Sequence, residues 1–274
     1  LPGVNIDFFS PALTRIKQEE YWGVFVRGNW QEHRDLLPRL QCRFSFFYAA
    51  DNQYYPTHTF DHAYDIIFTD EENQCRELKK KFPRSRSLVF DKCVPTDVFR
   101  PAPRWRIYDL CYIGNFRQWK NHIHLFSALR RMQRQGKKMK IALAGKFQPS
   151  GAELEICLHK YGLAADLFES VPVKQVAEIL RQSRFSVQLA ELDANPRAAT
   201  ESLACGVPVL MNRDISGGAH LINSSTGRLA SLSRLESGLM KMSADWETFE
   251  PYKYFCNKLT PAGIINRCFI KALN

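Results

Sequence analysis

The sequence predicts an α/β fold of two Rossmann-like units, each a parallel sheet crossed by helices. Three observations carry this. From about residue 21 to residue 211, short runs rich in β-branched and aromatic residues alternate with helical patterns, the signature of parallel strands joined by crossovers. The chain has 274 residues, more than the ~100–200 of one typical domain, so two units are expected. Hydrophobic residues make up 45% and aromatic residues 12%, enough to bury two cores and to exclude a disordered chain.

In the first unit, strands are expected at 22–27, 44–49, 65–69 and 87–90, with helices near 31–40 and 71–81. The second of these helices opens on Asp70-Glu71-Glu72 and closes on Lys79-Lys80-Lys81, followed by Phe82-Pro83-Arg84-Ser85-Arg86. Acid first and base last suits the helix dipole, so a solvated face is the plain reading; docking to an anionic surface is the other. The prolines of 94–103 break both helix and central strand and mark the boundary. The domains are therefore placed at 1–103 and 104–274, with the last helix expected to pack back on the first domain.

The second series reads as strand 108–113, helix 121–135, strand 140–144, helix 152–161, a short strand around Leu167, helix 174–182, strand 185–189, helix 195–204 and strand 208–211. Ile123, Phe126, Leu129 and Met132 recur at every third position and give helix 121–135 one apolar face. Pro208-Val209-Leu210-Met211 is apolar throughout, as a strand covered on both faces must be.

No run approaches the ~20 apolar residues that span a bilayer, since the best, 203–211, contains Gly206 and Pro208. Eight cysteines, Cys42, Cys75, Cys93, Cys111, Cys157, Cys205, Cys256 and Cys268, form no Cys-x-x-Cys pair and no zinc spacing with His. They are expected reduced and mostly buried. The opening Leu1-Pro2-Gly3-Val4-Asn5 lacks a basic-then-apolar pattern, which leaves location to other clues; with reduced cysteines the cytoplasm is the expectation. The 38 Lys and Arg against 28 Asp and Glu leave +10, which favours an anionic partner: a nucleoside diphosphate, an acidic lipid surface, an acidic acceptor or nucleic acid. Trp105-Arg106 and Trp119-Lys120 are the aromatic-basic pairs that would suit nucleic acid, and no recognition motif accompanies them.

Ligands of parallel α/β sheets bind beyond the carboxyl ends of the strands, so the strand-to-helix loops are where chemistry is sought. Two stand out. In Ile113-Gly114-Asn115-Phe116-Arg117-Gln118-Trp119-Lys120-Asn121, Gly114 permits a close backbone approach, and Arg117 and Lys120 place positive charge beside a helix start. In Asp193-Ala194-Asn195-Pro196-Arg197-Ala198-Ala199-Thr200-Glu201, Asn195 is a good N-cap and Pro196 suits the first helical position, which leaves free amides facing outward. Gly206 ends that helix. Glu201 lies inside it among Ala198, Ala199, Leu203 and Ala204, where a carboxylate needs a partner such as a sugar or ribose hydroxyl. Gly28, Asn29 and Asp51 follow first-unit strands, on the side where an acceptor would approach; His33, His58 and His62 are more often structural than chemical. Gly217-Gly218-Ala219-His220 is open between a border of the donor site and a plain turn.

These residues resemble the group 1 glycosyltransferases of GT-B fold, whose hallmark is a carboxylate, seven residues, then Glu in a helix reading roughly Glu-Ala-x-Ala-x-Gly-x-Pro-Val. Asp193, seven residues and Glu201-Ser202-Leu203-Ala204-Cys205-Gly206-Val207-Pro208-Val209 match it. Cys93-Val94-Pro95-Thr96-Asp97-Val98-Phe99-Arg100-Pro101 is similar to the family's interdomain segment. Ile113-Gly114-Asn115-Phe116 with Lys120 is similar to its Gly-Arg-Leu and Lys pair, and Leu143-Ala144-Gly145-Lys146 to its Leu-x-Gly turn. The likeness runs from about residue 60 to 230. It implies two Rossmann-like domains facing across a cleft, and transfer of a sugar from a nucleoside-diphosphate sugar to an acceptor hydroxyl of a glycan, lipid or protein, with retention at the anomeric carbon. By resemblance Glu201 holds ribose hydroxyls, and Lys120 with Arg117 neutralises the diphosphate. The start of the helix, Ala194, Asn195, Pro196, Arg197 and Thr200, faces phosphate or sugar, Asp193 touches the sugar, and Gly114, Asn115 and Lys146 line the donor side. No Asp-x-Asp pair occurs, so neither a metal nor another cofactor is expected and basic side chains take the metal's place. Asp193 stands where the family usually has Glu, Asn115 where Arg is usual, and the first domain is short. A catalytically silent GT-B protein that binds a sugar nucleotide or a partner is therefore the second expectation. Peripheral contact with an anionic membrane, at its inner face, would use the 79–86 surface.

Overall fold

The computed structural model describes residues 21–27, 42–49, 64–102, 105–147 and 151–266. The division between two compact units falls between Phe90 and Asp91.

In the first unit, β1 (Tyr21–Arg27), β2 (Cys42–Tyr48), β3 (Ile66–Thr69) and β4 (Arg86–Val89) form a parallel sheet in the order β1-β2-β3-β4. All of β3 is buried, as an inner parallel strand with both faces covered must be. Helix α1 (Glu72–Lys81) connects β3 to β4 and turns Cys75 and Leu78 inward. Its first turn carries Glu72 and its last turn carries the exposed Lys79, Lys80 and Lys81, the arrangement that a solvated helix and its dipole favour. The expected helix near 31–40 lies outside the described residues.

The second unit is a parallel six-stranded sheet of β5 (Tyr108–Ile113), β6 (Ile141–Gly145), β7 (Asp166–Glu169), β8 (Ser183–Gln188), β9 (Val209–Asn212) and β10 (Gly227–Ala230). Its order is β10-β9-β8-β5-β6-β7. Counted from the first strand of the unit this is the doubly wound order 3-2-1-4-5-6, read from the other edge. Alternate residues feed two cores. Cys111, Ile113, Ala142, Ala144, Val209 and Met211 face one layer, built on α4 (Val173–Arg181), α5 (Arg197–Ala204) and α7 (Pro251–Lys258). Leu110, Tyr112, Ile141, Leu143 and Leu210 face the other, built on α2 (His122–Arg134), α3 (Gly151–Tyr161) and α6 (Leu235–Asp245). The predicted face of α2 is the buried one through Phe126, Leu129 and Met132, whereas Ile123 stays 42% exposed at its first turn.

Four features differ from the sequence reading. The segment 91–102, expected as a linker, is part of the second unit: Val94 and Phe99 are buried in its core, and the Arg181 guanidinium donates to the Val98 and Arg100 carbonyls at 3.1 and 3.2 Å. Helix α5 starts at Arg197, with Pro196 rather than Asn195 at the cap position (φ −68°, ψ 92°), and the cap makes no side-chain hydrogen bond. Asn195 is buried instead, one residue further back along the loop. Cys75, Cys93, Cys111, Cys157, Cys205 and Cys256 are free; Cys75, Cys111 and Cys205 are buried, but Cys93 and Cys256 are exposed. Strand β10 and helices α6, α7 and α8 (Pro261–Ile265) extend the fold beyond the last predicted strand, with Pro at the first turn of α7 and α8 and Thr260 capping α8. Helix α5 ends as expected: Gly206 adopts φ +73°, and the Val207 and Gly206 amides donate back to the Ser202 and Leu203 carbonyls at 2.9 and 3.1 Å, a Schellman closure. No described helix is long and apolar enough to cross a membrane.

Candidate functional site

The strand order reverses between β5 and β8, so the crevice beyond their carboxyl ends is where a doubly wound sheet takes a ligand. Three loops meet there: 114–121 after β5, 189–196 after β8, and 213–218 after β9. Their backbones are tied together. The Glu191 amide donates to the Trp119 carbonyl at 3.2 Å, the Ser216 amide to the Glu191 carbonyl at 2.8 Å, and the Asp193 amide to Ser216 Oγ at 3.0 Å. Asn121, held in the left-handed region at φ 57°, donates its side-chain amide to the Leu189 carbonyl at 2.9 Å.

Tyr112, buried on β5, joins two of these loops, although its position inside a strand concealed this in the sequence. Its hydroxyl donates to the Lys120 carbonyl at 2.5 Å and accepts from the Leu189 amide at 3.4 Å. Its ring stacks on His122, with centroids 4.2 Å apart. Burial first, and then the Lys120 charge, push the His122 imidazole down to about 3, so it stays neutral and serves as an aromatic packing element. Tyr112→Phe keeps the ring and removes both bonds. Its expected cost is about 1–2 kcal/mol, read as a fall in the thermal denaturation midpoint.

The two predicted residues 73 positions apart are brought into direct contact: Lys120 Nζ lies 2.5 Å from Asp193 Oδ2, each side chain about one-fifth exposed. On the other side of the switch point, Gly114, Asn115 and Lys146 line a cavity of about 300 Å³ together with Ile113, Ala144, Gly145, Ser170, Val171 and Val176. Asn115 is committed there: its side-chain oxygen accepts from the Lys146 amide at 3.1 Å, fastening the loop after β5 to that after β6. Arg117 is exposed, its guanidinium 5.1 Å from the centroid of the Trp119 ring.

At the third edge stands α5. Arg197 is exposed at its start, Thr200 is fully buried with its hydroxyl unpaired, and Glu201 lies one turn beyond Arg197. Burial pushes the Glu201 carboxyl up to about 7 although Arg197 pulls it down, and no described side chain or amide bonds to it. Such a group is held ready for a donor that the protein itself does not supply. Ala194 and Asn195 are buried beneath the loop, and the Asn195 carbonyl accepts from Lys92 Nζ at 3.3 Å. The glycine pair packs against the loop after β8. A Cβ on Gly217 would lie 1.9 Å from the Ala194 carbonyl oxygen, and one on Gly218 2.4 Å from the Pro196 ring. Gly28, Asn29 and Asp51, with His33, His58 and His62, lie outside the described residues.

Residues 105–234 match the family model described as glycosyl transferases group 1. The chain has the GT-B type of fold, α/β with parallel sheets in two Rossmann-like units. It superposes on sucrose-phosphate synthase from Thermosynechococcus elongatus with TM-score 0.71 at 14% identity, over 90% of this chain and 72% of the other. Anabaena Alr3699/HepE, in a complex with UDP and glucose, gives TM-score 0.70 at 11% identity, over 91% and 77%. A TarM mutant from S. aureus, with fondaparinux, α-GlcNAc-glycerol and UDP, gives 0.68 at 10%, over 91% and 55%. No curated protein matches the chain significantly.

Proposed function

We propose that the protein moves a sugar from a nucleoside-diphosphate donor, held in the second unit, to a hydroxyl of a glycan, lipid or protein acceptor. The observation that carries this is the Lys120–Asp193 pair at the switch point together with Glu201, an unpartnered, partly buried carboxylate on the helix that follows the Asp193 loop. In this reading the base enters the cavity lined by Gly114, Asn115 and Lys146, and Glu201 accepts hydrogen bonds from the ribose. Lys120, with Arg117 from the same loop, takes the diphosphate, and the amides at the start of α5 near Arg197 face it as well. Asp193 faces the transferred sugar. A departing nucleoside diphosphate gains negative charge, and fixed ammonium, guanidinium and amide donors stabilise it as it forms, a task other enzymes give to a metal. Metal-independent, retaining transfer in the cytoplasm is proposed on the motif resemblance, as are Gly28, Asn29 and Asp51 on the acceptor side.

A silent, binding-only protein is the second reading. Two observations favour it: Asn115 spends its side chain on Lys146, and Lys120 is already neutralised by Asp193.

The test is a thermal-shift screen of nucleoside diphosphates and nucleotide sugars without added metal, beginning with UDP, the nucleotide in the HepE and TarM complexes. A ligand at about a hundred times its Kd adds roughly 2.7 kcal/mol to the native state, a shift of several degrees. The shift is expected in wild type and absent in Glu201→Ala. A stabilising ligand that Glu201→Ala still binds equally well would sink the donor assignment. Binding with no hydrolysis or transfer in the presence of glycan acceptors would favour the silent reading.

A further inference from the structure

Lys120 is offered above as the cation for the diphosphate, yet its ammonium already pairs with the Asp193 carboxylate. We infer that Asp193 is a built-in counter-ion which the donor's diphosphate displaces from Lys120, so that binding both fills the site and releases Asp193 to face the sugar. This rests on the donor reading and adds to it a competition between two anions for one ammonium.

The geometry supports an exchange by side-chain rotation. Among the described residues the Lys120 ammonium and the Asp193 carboxylate have no other hydrogen-bond partner than each other, at 2.5 Å. Both side chains keep about a fifth of their surface exposed, so an incoming anion can reach the pair. The backbones beneath do not share this freedom. Lys120 is tied through its carbonyl to Tyr112, and Asp193 through its amide to Ser216, whose own amide is bound to Glu191.

Charge decides the direction of the exchange. One carboxylate offers a single negative charge, whereas a diphosphate offers more than one and several strong acceptor oxygens for the three N–H groups of an ammonium. An unmoved Asp193 would leave like charges within a few ångströms of each other, a repulsion that a partly dry site enlarges. A neutral nucleoside brings no anion to Lys120 and leaves the pair intact. The pair therefore offsets the Lys120 charge until a diphosphate arrives and makes binding sensitive to the phosphates.

The experiment is calorimetric titration of UDP, GDP and ADP, with uridine, guanosine and adenosine as uncharged probes. It uses wild type, Asp193→Asn, Lys120→Ala and the double variant. Asp193→Asn is expected to tighten the diphosphate that binds by about fivefold or more, a usual size for site coupling. It should leave nucleoside affinity unchanged and lose its effect when Lys120 is absent. Sugar transfer or donor hydrolysis by Asp193→Asn should fall even as binding tightens. Denaturation midpoints verify that each variant folds, and Asp193→Ser, expected to tighten binding likewise, replaces Asp193→Asn if that one does not. Unchanged or weaker diphosphate binding in Asp193→Asn overturns the counter-ion role while the donor site stands, as does tightening that persists without Lys120. No binding of any diphosphate to any of the proteins removes the donor reading and this inference with it.

Discussion

Glu201→Gln makes the ligand-free protein more stable at pH 8 by about 2–3 kcal/mol and leaves its stability nearly unchanged at pH 4, while nucleoside diphosphate binding is lost. The sign follows from proton binding. The carboxyl titrates near 4.5 in an unfolded chain and is pushed up to about 7 in the fold, by burial against the weaker pull of Arg197. Between those values the folded protein holds a proton that the unfolded chain has released, so stability falls as pH rises through this window, and the full penalty is present above it. The interval corresponds to roughly 3 kcal/mol at ~1.4 kcal/mol per pH unit. Glutamine keeps the shape of the protonated acid and escapes the penalty. A functional residue held at the expense of stability is a familiar trade-off, and here it carries a distinct pH signature. Urea denaturation at the two pH values measures it; an equal effect at both would show that Glu201 is not desolvated in the fold.

Gly217→Ala is expected to destabilise the protein by about 1–3 kcal/mol and to abolish the ligand-induced thermal shift, because any Cβ there requires displaced backbone. The nearest atom is no flexible side-chain end but the Ala194 carbonyl oxygen, 1.9 Å from the ideal Cβ position. Relief must come from moving the loop after β8 or that after β9. The first carries Asp193 and leads into α5, and Ser216 of the second holds the Asp193 amide. The same substitution therefore disturbs stability and the Lys120–Asp193 pair together. An unchanged urea midpoint with an unchanged ligand shift would show that the loops can part freely.

Much of this protein is legible along its sequence because the physics behind it is local. Strand β5 falls at 108–113 as predicted, and α5 ends at Gly206, since alternation, helical spacing and a left-handed terminus each depend on a few neighbouring residues. The spacing of Asp193 and Glu201 likewise puts one in the loop before α5 and the other inside that helix. Where local signals compete, the fold decided. Asn195 has the chemistry of an N-cap, but burial of its side chain and the extended Pro196 moved the cap by one residue. The prolines of 94–103 mark a break in regular structure but not a free linker, because Val94, Phe99 and the Arg181 guanidinium bind that segment to the second unit. Sequence by itself determined the class of fold, the described strands and helices through β9, and which residues are candidates to serve a phosphate or a sugar. Only the tertiary structure decided that Lys120 faces Asp193, that Tyr112 joins the loops beneath them, and that burial leaves Glu201 with a proton near neutral pH. Each of these depends on groups far apart in the chain meeting where the strand order reverses, and on the dielectric of that meeting place, which no local pattern of residues encodes.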